Sequence, residues 1–544
     1  MPIEHLRNLA KFGVITDVDA FDLAPEAFSF GVNVRFRNGK ITSAPVFRSV
    51  AALGTVSPRF VFASNPSTGL DLLFVGYLNG TVYRVTGSIE NTYTVAGYTP
   101  SSVEASWSST TLATVTYVNR SDRSPWYFRS SDPQFQDLSL SGWDSTWRCG
   151  LLRTCAGALV ALNVTKGATN YPTMVKTSSI PTAGTVPASW DITNPASLAV
   201  ENILADMAGG ITDACPLGND LIIYGFKQAY HMYANGLTSV YTFDPLPFKK
   251  GALNANCSVE IGGKNVVFGP DDIWQHDGTS EKSICDERVR TFIFDSLNLS
   301  KANRCFVCHN PKLKEITFAY VSGDGYLSFD GADGCNRQAV WNYANDTWSF
   351  DDLPFVYSAA ESNLSNAMTY ATVTATYDQF GGSYQDQEDG YKRTICYVGE
   401  ANSAHNLITS LYAFDVYGQG SAAAYPVDAN ATKPRYLERR GIDLDELNAD
   451  LRGYKTLSSV YPQVRLGSGA ANLMIDVGVS DTFNSNNPNW TGYQPYDGAD
   501  LYKLDYNAAG RWLAIRMKFS DYKELTILGF DLDLKITSKG PQGK

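Results

Sequence analysis

Short hydrophobic, β-rich runs alternate with polar turn residues along most of this chain. Leu72–Tyr77, Leu221–Gly225 and Glu315–Val321 are typical runs, and Val, Ile, Phe, Tyr and Thr are prominent in them. These residue types at alternating positions suit half-buried strands. Five further runs share this character: Arg59–Ala63, Thr81–Val85, Ala158–Asn163, Asn265–Phe268 and Arg393–Gly399. Helical periodicity is limited to Leu198–Met207 and Asp443–Leu451, so we predict strands with few short helices.

Turn residues separate the predicted strands. Four residue pairs favour tight hairpin turns: Asn79-Gly80, Asn235-Gly236, Asp277-Gly278 and Asp389-Gly390. A degenerate unit of strand, aromatic residue and turn pair recurs at residues 72–85, 221–236 and 266–278. Repeated short hairpins are typical of propeller blades. We therefore predict an all-β protein built on a β-propeller of five to seven blades; the pattern alone leaves a β-sandwich as the alternative.

Changes in composition divide the chain into three predicted segments. Residues 1–50 are expected to be a lead-in segment, and residues 51–434 carry the strand-rich propeller body with loop insertions. Residues 435–544 form a C-terminal β-rich unit that begins at the charged run Arg435–Glu446. Tyr377–Lys392 is rich in Gly, Asp, Gln and Tyr, which predicts a long exposed loop.

The composition favours a protein with β-sheet surfaces and subunit contacts. Charged residues make up 18% of the 544 residues and aromatic residues 12%, whereas typical soluble domains are roughly 25% charged. Few charges with many aromatic residues suit β-sheet surfaces and subunit contacts. The net charge is −11, and the basic pairs Lys249-Lys250 and Arg439-Arg440 are isolated. We therefore expect no tight hold on nucleic acid, which usually requires a basic patch.

The chain shows no sign of export or membrane insertion. Met1–Asp22 has no apolar signal-peptide core, and no stretch approaches 18 consecutive apolar residues. Nine cysteines, an odd number, argue against a complete disulfide framework. We expect a protein that is made in a reducing cytoplasm and has no membrane insertion of its own.

One short motif has the letters of a haem attachment site. Cys305-Phe-Val-Cys308-His309 matches the c-type haem signature, and its two thiols are also the kind of ligand that a thiolate metal site uses. The sequence contains no second Cys-x-x-Cys motif that would complete the four ligands of a zinc site. On the predicted strand the two cysteines lie on opposite faces, which is a poor arrangement for chelation. We interpret both as ordinary strand cysteines and expect no cofactor and no metal.

Two pairs of acidic residues are the remaining candidates for catalysis. Asp271-Asp272 and Asp351-Asp352 each supply two carboxylates, as glycoside hydrolysis requires. Both pairs stand near turn residues, where Asp is common for structural reasons. No nucleophile elbow, phosphate-binding loop or His-Glu-x-x-His motif is present. We predict that the protein is not an enzyme, with a propeller glycosidase as the alternative.

Several segments, taken in their order along the chain, resemble one known family. They are Gly13–Asp19, Leu23–Phe28, Gly31–Lys40, Pro187–Trp190, Cys215–Tyr224, Phe248–Gly251, Phe268–Gly278, Gln338–Ser349, Gly510–Met517 and Leu528–Lys535. Together they resemble the tail nozzle proteins of short-tailed bacteriophages, which are also called tail tubular protein B or packaged-DNA stabilisation (tail hub) proteins. This chain is shorter than the largest nozzle proteins, so an elaborated tip domain is expected to be reduced or absent.

The resemblance implies a structural role in the virion. Nozzle proteins assemble as a ring, usually a hexamer, below a dodecameric tail adaptor, and enclose a conduit for the genome. Partners would be the adaptor, tail fibres or needle proteins, and DNA in transit. The predicted exposed loop is the candidate channel gate, with the residues Tyr377, Asp378, Gln379, Gln385, Asp386 and Asp389. The alternative functions are a tail-associated glycosidase and a receptor-binding tail protein.

Overall fold

The computed structural model describes residues 3–537 apart from 25, 54–55, 68–69, 87–88, 237–239, 325–332, 363–393, 400–409, 417–434, 443–453, 467–472, 483–486, 499–501 and 520–524. Strands dominate this part of the chain. Its helices are the α-helix Arg290–Ser296 and the 3-10 helices Pro195–Ser197 and Leu299–Arg304. None of these is long and apolar enough to cross a membrane.

Five successive stretches of chain each form a sheet of four antiparallel strands, numbered as blades 1 to 5 in chain order. Blade 1 contains Pro58–Ser67, Leu70–Tyr77, Val82–Thr86 and Ile89–Thr92, and blade 2 contains Trp107–Leu112, Val115–Arg120, Trp126–Phe128 and Gln136–Asp137. Blade 3 contains Arg148–Cys155, Ala158–Lys166, Thr169–Thr177 and Glu201–Ile203. Blade 4 contains Ile211–Leu217, Asp220–Gly225, Ala229–Ala234 and Tyr241–Pro245, and blade 5 contains Ser258–Ile261, Lys264–Phe268, Ile273–His276 and Glu281–Ser283.

Blades 6 and 7 share one long strand, Thr347–Ser362. Its first part completes blade 6 with the strands Phe306–Asn310, Glu315–Tyr320 and Cys335–Asn342. Its second part, from Val356 onward, begins blade 7 and pairs with Thr394–Gly399, which pairs in turn with Ser410–Val416. The strand Val46–Ala52, from near the other end of the chain, pairs antiparallel with Ser410–Val416 and completes blade 7.

The seven blades close into a ring. The first strand of each blade packs against the first strand of the next, and Thr347–Ser362 packs against Pro58–Ser67 of blade 1. Separate hydrophobic clusters fill the spaces between neighbouring blades, for example around Leu162 and Ile223 between blades 3 and 4. Both residues are fully buried, and each such side chain stabilises the fold by about 1.5–3 kcal/mol. The described residues thus form a seven-bladed β-propeller.

Two further sheets pack face to face beside the propeller as a β-sandwich. The first contains, in order, Leu504–Gly510, Tyr454–Leu466, Leu525–Thr537, Lys40–Ser43 and Val34–Arg37, and Ile3–Arg7 also pairs with Leu525–Thr537. The second contains Phe30–Val32, Arg435–Ile442, Trp512–Phe519 and Leu473–Ser480, and the short strands Asn489–Trp490 and Gln494–Tyr496 pair with the last of these. Phe30–Val32 also pairs in parallel with Thr347–Ser362 and so joins the second sheet to blade 6. Gly13–Val14 pairs in parallel with the same blade 6 strand and with Ala27–Phe28.

Residues 1–50, expected as a lead-in segment, supply strands to both the propeller and the sandwich. Lys40–Ser43 and Phe30–Val32 belong to the sandwich, and the strand that begins at Val46 belongs to blade 7. Leu504–Gly510 alternates strictly between buried and exposed residues, as a strand with one face on the sandwich core should. Between the two sheets lie buried residues from both ends of the chain, including Phe36 and Leu532.

The strand and turn predictions are confirmed where the structure describes the residues. The three recurring units are the second and third strands of blades 1, 4 and 5. Gly80, Gly236 and Gly278 have positive φ angles of 85°, 67° and 89°, so glycine suits these turns. The seven blades agree with the predicted range. Asp389-Gly390 lies outside the described residues.

The predicted helix Leu198–Met207 is wrong. Leu198 has a φ of 56° and ends the 3-10 helix Pro195–Ser197. The chain then enters the strand Glu201–Ile203, the outermost strand of blade 3. The carboxylate of Glu201 accepts hydrogen bonds from Lys166 at 2.7 Å and Lys176 at 3.2 Å. Pairing within the blade outweighs the local helical periodicity. The other predicted helix, Asp443–Leu451, lies outside the described residues.

A buried histidine joins blades 4 and 5. His276 Nε2 lies 2.7 Å from the Tyr224 hydroxyl, and Asn265 Nδ2 donates to the same hydroxyl at 2.9 Å. His276 Nδ1 accepts from the backbone N–H of Gly278 at 3.1 Å, so the neutral ring carries its proton on Nε2. Burial lowers the pKa of His276 to about 4.

This histidine should make the fold less stable in acid. In the unfolded chain His276 takes up a proton near pH 6.5, whereas in the folded protein it does so only near pH 4. The free energy of unfolding therefore falls as the pH drops from 6.5 to 4, by about 3 kcal/mol in all. Denaturant unfolding at pH 7 and pH 4 measures the loss. We expect a smaller loss in His276→Gln than in the wild-type protein, whereas His231→Gln, at the surface of blade 4, should retain the full loss. Equal losses in all three proteins would rule out this role for His276.

Candidate functional site

The first strands of the seven blades converge on a central cavity of about 420 Å³. All seven blades contribute lining residues, and five of these carry charge: Arg59, Glu104, Arg153, Arg304 and Glu361. This volume is in the range of small-molecule sites, about 300–1,000 Å³. It is far too small for duplex DNA, whose major groove alone is about 12 Å wide.

A group of ion pairs, here called the mouth cluster, lies where the inner strands begin. It consists of Arg59, Glu104, Arg304, Asp333 and Tyr357. The Glu104 carboxylate accepts from Arg59 Nε at 3.2 Å and from Arg304 Nη1 at 2.8 Å. Arg304 Nη2 also donates to Asp333. The guanidinium of Arg59 lies 4.0 Å from the ring centre of Tyr357, and that of Arg304 lies 5.2 Å from it.

The arginines keep both carboxylates of the mouth cluster ionised. Burial on its own would raise the pKa of Glu104, but hydrogen bonds and charge from Arg304 and Arg59 outweigh it and the pKa is lowered. The pKa of Asp333 is lowered in the same way, since Lys301 and Arg304 outweigh the effect of burial. A catalytic acid needs a raised pKa near the working pH. Neither carboxylate therefore has the character of a general acid.

A second polar network crosses the cavity wall between blades 3, 4 and 5. Arg153 Nη2 lies 3.0 Å from Asp213 Oδ1 and 3.1 Å from Asn256 Oδ1. Ser258 Oγ donates to Asp213 Oδ2 at 2.6 Å. Asn256 Nδ2 donates to the carbonyl of Trp107 in blade 2 at 2.9 Å. These bonds tie four blades together, and they occupy both oxygens of the Asp213 carboxylate.

No family model matches the sequence, and no curated protein matches it. Solved β-propellers are similar to the chain at very low identity. The WD40 β-propeller domain of Doa1 is 9% identical, with a TM-score of 0.36, over 68% of this chain and 97% of that chain. YCF48 bound to a D1 peptide is 9% identical, with a TM-score of 0.37, over 69% of this chain and 100% of that chain. The β-propeller domain of Cps50 (Swd1) from Myceliophteria thermophila is 8% identical, with a TM-score of 0.37, over 67% of this chain and 99% of that chain.

The acid pair Asp351-Asp352 lies inside the strand Thr347–Ser362, and its expected place in a turn is wrong. Arg35 binds the Asp351 carboxylate with two hydrogen bonds, of 2.8 and 2.6 Å. Asn33 Nδ2 donates to Asp352 Oδ2 at 3.0 Å. Successive side chains of a strand point to opposite faces, so the two carboxylates do not converge on one ligand.

Arg35 extends this contact into a buried ionic group that we call the joint network: Arg35, Arg37, Glu315 and Asp351. Arg35 Nε lies 3.1 Å from Glu315 Oε1, and Arg37 Nη2 also contacts Glu315. Gln338 Nε2 donates to Asp351 Oδ2 at 2.9 Å. The side chains of Arg35, Glu315 and Asp351 are each at most 2% exposed. The network fastens a sandwich strand to blade 6.

The pair Asp271-Asp272 lies in the turn between the second and third strands of blade 5. Asp272 accepts from Lys250 Nζ at 3.1 Å and from Ser283 Oγ at 2.7 Å. The backbone carbonyl of Asp271 accepts from Arg290 Nε at 2.9 Å. Asp271 thus helps to hold blade 5 to the following helix, whereas Asp272 binds Lys250 before the blade and Ser283 on its last strand.

The cysteines of the haem-like motif lie in different hydrophobic clusters. Cys305 immediately precedes the strand Phe306–Asn310 and packs with the largest cluster, whereas Cys308 packs between blades 6 and 7. Burial raises the pKa of each thiol to about 12, so both are protonated and poor metal ligands. The structure brings no group of three or more His, Cys, Asp or Glu together as a metal site within its described part.

The six residues of the candidate channel gate, Tyr377 to Asp389, lie outside the described residues. Sequence reasoning missed the mouth cluster and the joint network. Glu104 and Arg304 are 200 positions apart, and Arg35 and Asp351 are 316 apart. No local spacing relates such residues, because the propeller ring brings the first pair together and the contact between the sandwich and blade 6 brings the second pair together.

Proposed function

We propose that this protein is a structural subunit of the tail nozzle, or tail hub, of a short-tailed bacteriophage. The collinear sequence resemblance is the starting point. The observation that carries the proposal is that both ends of the chain are built into one interlocked body. The strand from Val46 completes blade 7, while strands from residues 30–43 and 435–537 form the sandwich. Such a body suits a particle component under mechanical load better than it suits an enzyme that opens and closes around a substrate.

In this proposal several copies enclose the DNA path, and the propeller itself is not the conduit. A cavity of about 420 Å³ excludes a duplex, so the passage must lie between subunits. A head-to-tail contact that closes gives a ring, and a hexamer beneath the tail adaptor is the arrangement that the resemblance implies. The net charge of −11 favours passage, because each basic contact to a phosphate adds affinity that ejection must break.

The carboxylates described above support a non-enzymatic role. Asp351 is bound by Arg35, and Glu104 is bound by Arg59 and Arg304. Acids held by arginines contribute to structure and are poorly suited to proton transfer. We place the protein in the virion tail after synthesis in the bacterial cytoplasm, with the adaptor and the fibres or needle as its neighbours.

Electron microscopy of the purified protein and of the virion tests the proposal. We expect closed rings of the purified protein, and a gold-labelled antibody against it should bind at the distal end of a short tail. A matched antibody against the adaptor should label nearer the capsid. A monomeric protein that is absent from purified particles would refute the proposal, and glycan hydrolysis would then be the next activity to assay.

A further inference from the structure

The outer face of the first sandwich sheet carries two neighbouring tyrosines, here called the tyrosine ledge: Tyr461 and Tyr502. Tyr502 is 73% exposed, the largest exposure among the large hydrophobic side chains that the structure describes. The ring centres of the two tyrosines are 6.2 Å apart, and their planes are inclined by 40°. A single exposed ring is common on protein surfaces, so the groups beside the ledge decide what it can bind.

A group of polar side chains, here called the Asp531 fan, lies beside the ledge: His5, Arg7 and Gln463 around Asp531. His5 Nδ1 and Arg7 Nη2 lie 2.8 and 2.9 Å from Asp531 Oδ1. Gln463 Nε2 donates to Asp531 Oδ2 at 3.0 Å. The Asp531 side chain is only 15% exposed, whereas those of His5 and Arg7 are 58% and 44% exposed. One largely buried carboxylate thus orients side chains that remain open to solvent.

The pairing of the strands places the ledge and the fan in one row. His5 pairs with Asp531, and Asp531 pairs with Tyr461. Neighbouring strands are about 4.8 Å apart, so these three side chains span about 10 Å, and Tyr502 extends the row past Tyr461. Their described neighbours along each strand are buried in the sandwich core, so the row lies on the outer face of the sheet. The row is long enough for an extended ligand.

The charges of this row favour a neutral ligand. Arg7 is paired with Asp531, and Lys503 Nζ lies 2.8 Å from Asp505, so these four charges cancel (2 − 2 = 0). A nucleic acid would need an excess of positive charge, and the core of a protein interface is usually depleted of charged residues. A carbohydrate suits both halves of the row. The C–H faces of sugar rings pack on aromatic rings, whose faces carry partial negative charge, and sugar hydroxyls pair with imidazole and guanidinium groups.

We propose that the tyrosine ledge and the Asp531 fan together bind a neutral polysaccharide, which lies along the row from Tyr502 to His5. Its sugar rings pack on the two tyrosines, and its hydroxyls form hydrogen bonds with His5 and Arg7. The site binds without cleaving, because three side chains already occupy the Asp531 carboxylate. It goes beyond the proposed role of the protein in the tail and does not depend on it.

Affinity electrophoresis in native gels that contain dextran, mannan or a soluble β-glucan tests the site. We expect at least one of these polysaccharides to retard the full-length protein in a saturable manner. Tyr502→Ala should weaken the binding about tenfold, whereas Tyr502→Phe keeps the ring and should retain most of it. Arg7→Ala should also weaken the binding, because it removes a donor of the Asp531 fan. Since Tyr502 is mostly exposed, its replacement should leave the fold intact, which circular dichroism verifies.

Matched controls separate this site from other kinds of surface. Tyr233→Ala removes a tyrosine from the third strand of blade 4, outside the sandwich, and should leave the affinity unchanged. Gels that contain heparin or single-stranded DNA report binding of a polyanion, and sedimentation without polysaccharide reports self-association. The proposal is overturned if none of the three neutral polysaccharides retards the protein, whether or not the polyanions do or Tyr502→Ala alters self-association. Retardation that is the same in Tyr502→Ala and the wild-type protein would also overturn it.

Discussion

Replacing Arg35 with alanine is expected to lower the free energy of unfolding by about 3–5 kcal/mol. Arg35 makes two hydrogen bonds to Asp351 and an ion pair with Glu315, all in a buried environment. Without it, the two carboxylates remain buried at the joint with too little compensating charge. Chemical denaturation followed by tryptophan fluorescence measures the effect.

Two further variants separate the loss of the buried charge from a general effect of removing arginine. Arg7→Ala removes an arginine that is 44% exposed and pairs with Asp531 at 2.9 Å; the expected cost is within about 1 kcal/mol. Adding Asp351→Asn to Arg35→Ala should restore part of the lost stability, because it neutralises one stranded carboxylate. Equal effects of Arg35→Ala and Arg7→Ala would show that the joint network does not contribute as its burial indicates.

Replacing Phe47 with alanine is expected to cost about 3–5 kcal/mol and to loosen blade 7. Phe47 lies in the strand that closes the ring and is fully buried. Its ring centre is 4.6 Å from that of Phe414 and 5.3 Å from that of Tyr397. The cavity left by the phenyl ring therefore lies against Ser410–Val416, which pairs with the closing strand, and against the next strand of blade 7, Thr394–Gly399.

Hydrogen exchange locates the effect of Phe47→Ala within the molecule. We expect faster exchange in Ser410–Val416 and Val46–Ala52, which pair with each other, and little change in blades 3 and 4. Phe226→Ala makes the same change at a side chain that is 42% exposed and should cost less than about 1 kcal/mol. Uniformly faster exchange throughout the propeller would contradict a local closing role for Phe47.

The parts of the fold that depend on residues close together in the sequence could be predicted. The hairpins of blades 1, 4 and 5 follow from short β-rich runs and turn pairs that lie close together in the sequence. The helix predicted at Leu198–Met207 failed because Glu201–Ile203 pairs with Met174–Lys176, which a local pattern does not register. The closing strand could not be predicted, since Val46–Ala52 is not distinguished from other hydrophobic runs by its own sequence.

The candidate site depends on the same long-range contacts, so it could not be predicted from the sequence. Glu104 lies in an irregular segment, and only the ring places it between Arg59 and Arg304. The acid pair Asp351-Asp352 was visible in the sequence, but its partner Arg35 was not related to it by any spacing. The structural role of that pair follows from burial beside a cation, which becomes apparent only when the two ends of the chain are brought together.

The closing strand also stays without its partner until late in synthesis. About 360 residues separate Ala52 from its partner at Ser410, and a ribosome working at about 5–20 residues per second needs about 20–70 s to make them. Blades 1 to 5 are each continuous in sequence, so they can form while the strand Val46–Ala52 waits unpaired. An unpaired strand is a template for aggregation, so the nascent chain is most vulnerable in this interval, and anything that stalls translation before residue 410 lengthens it.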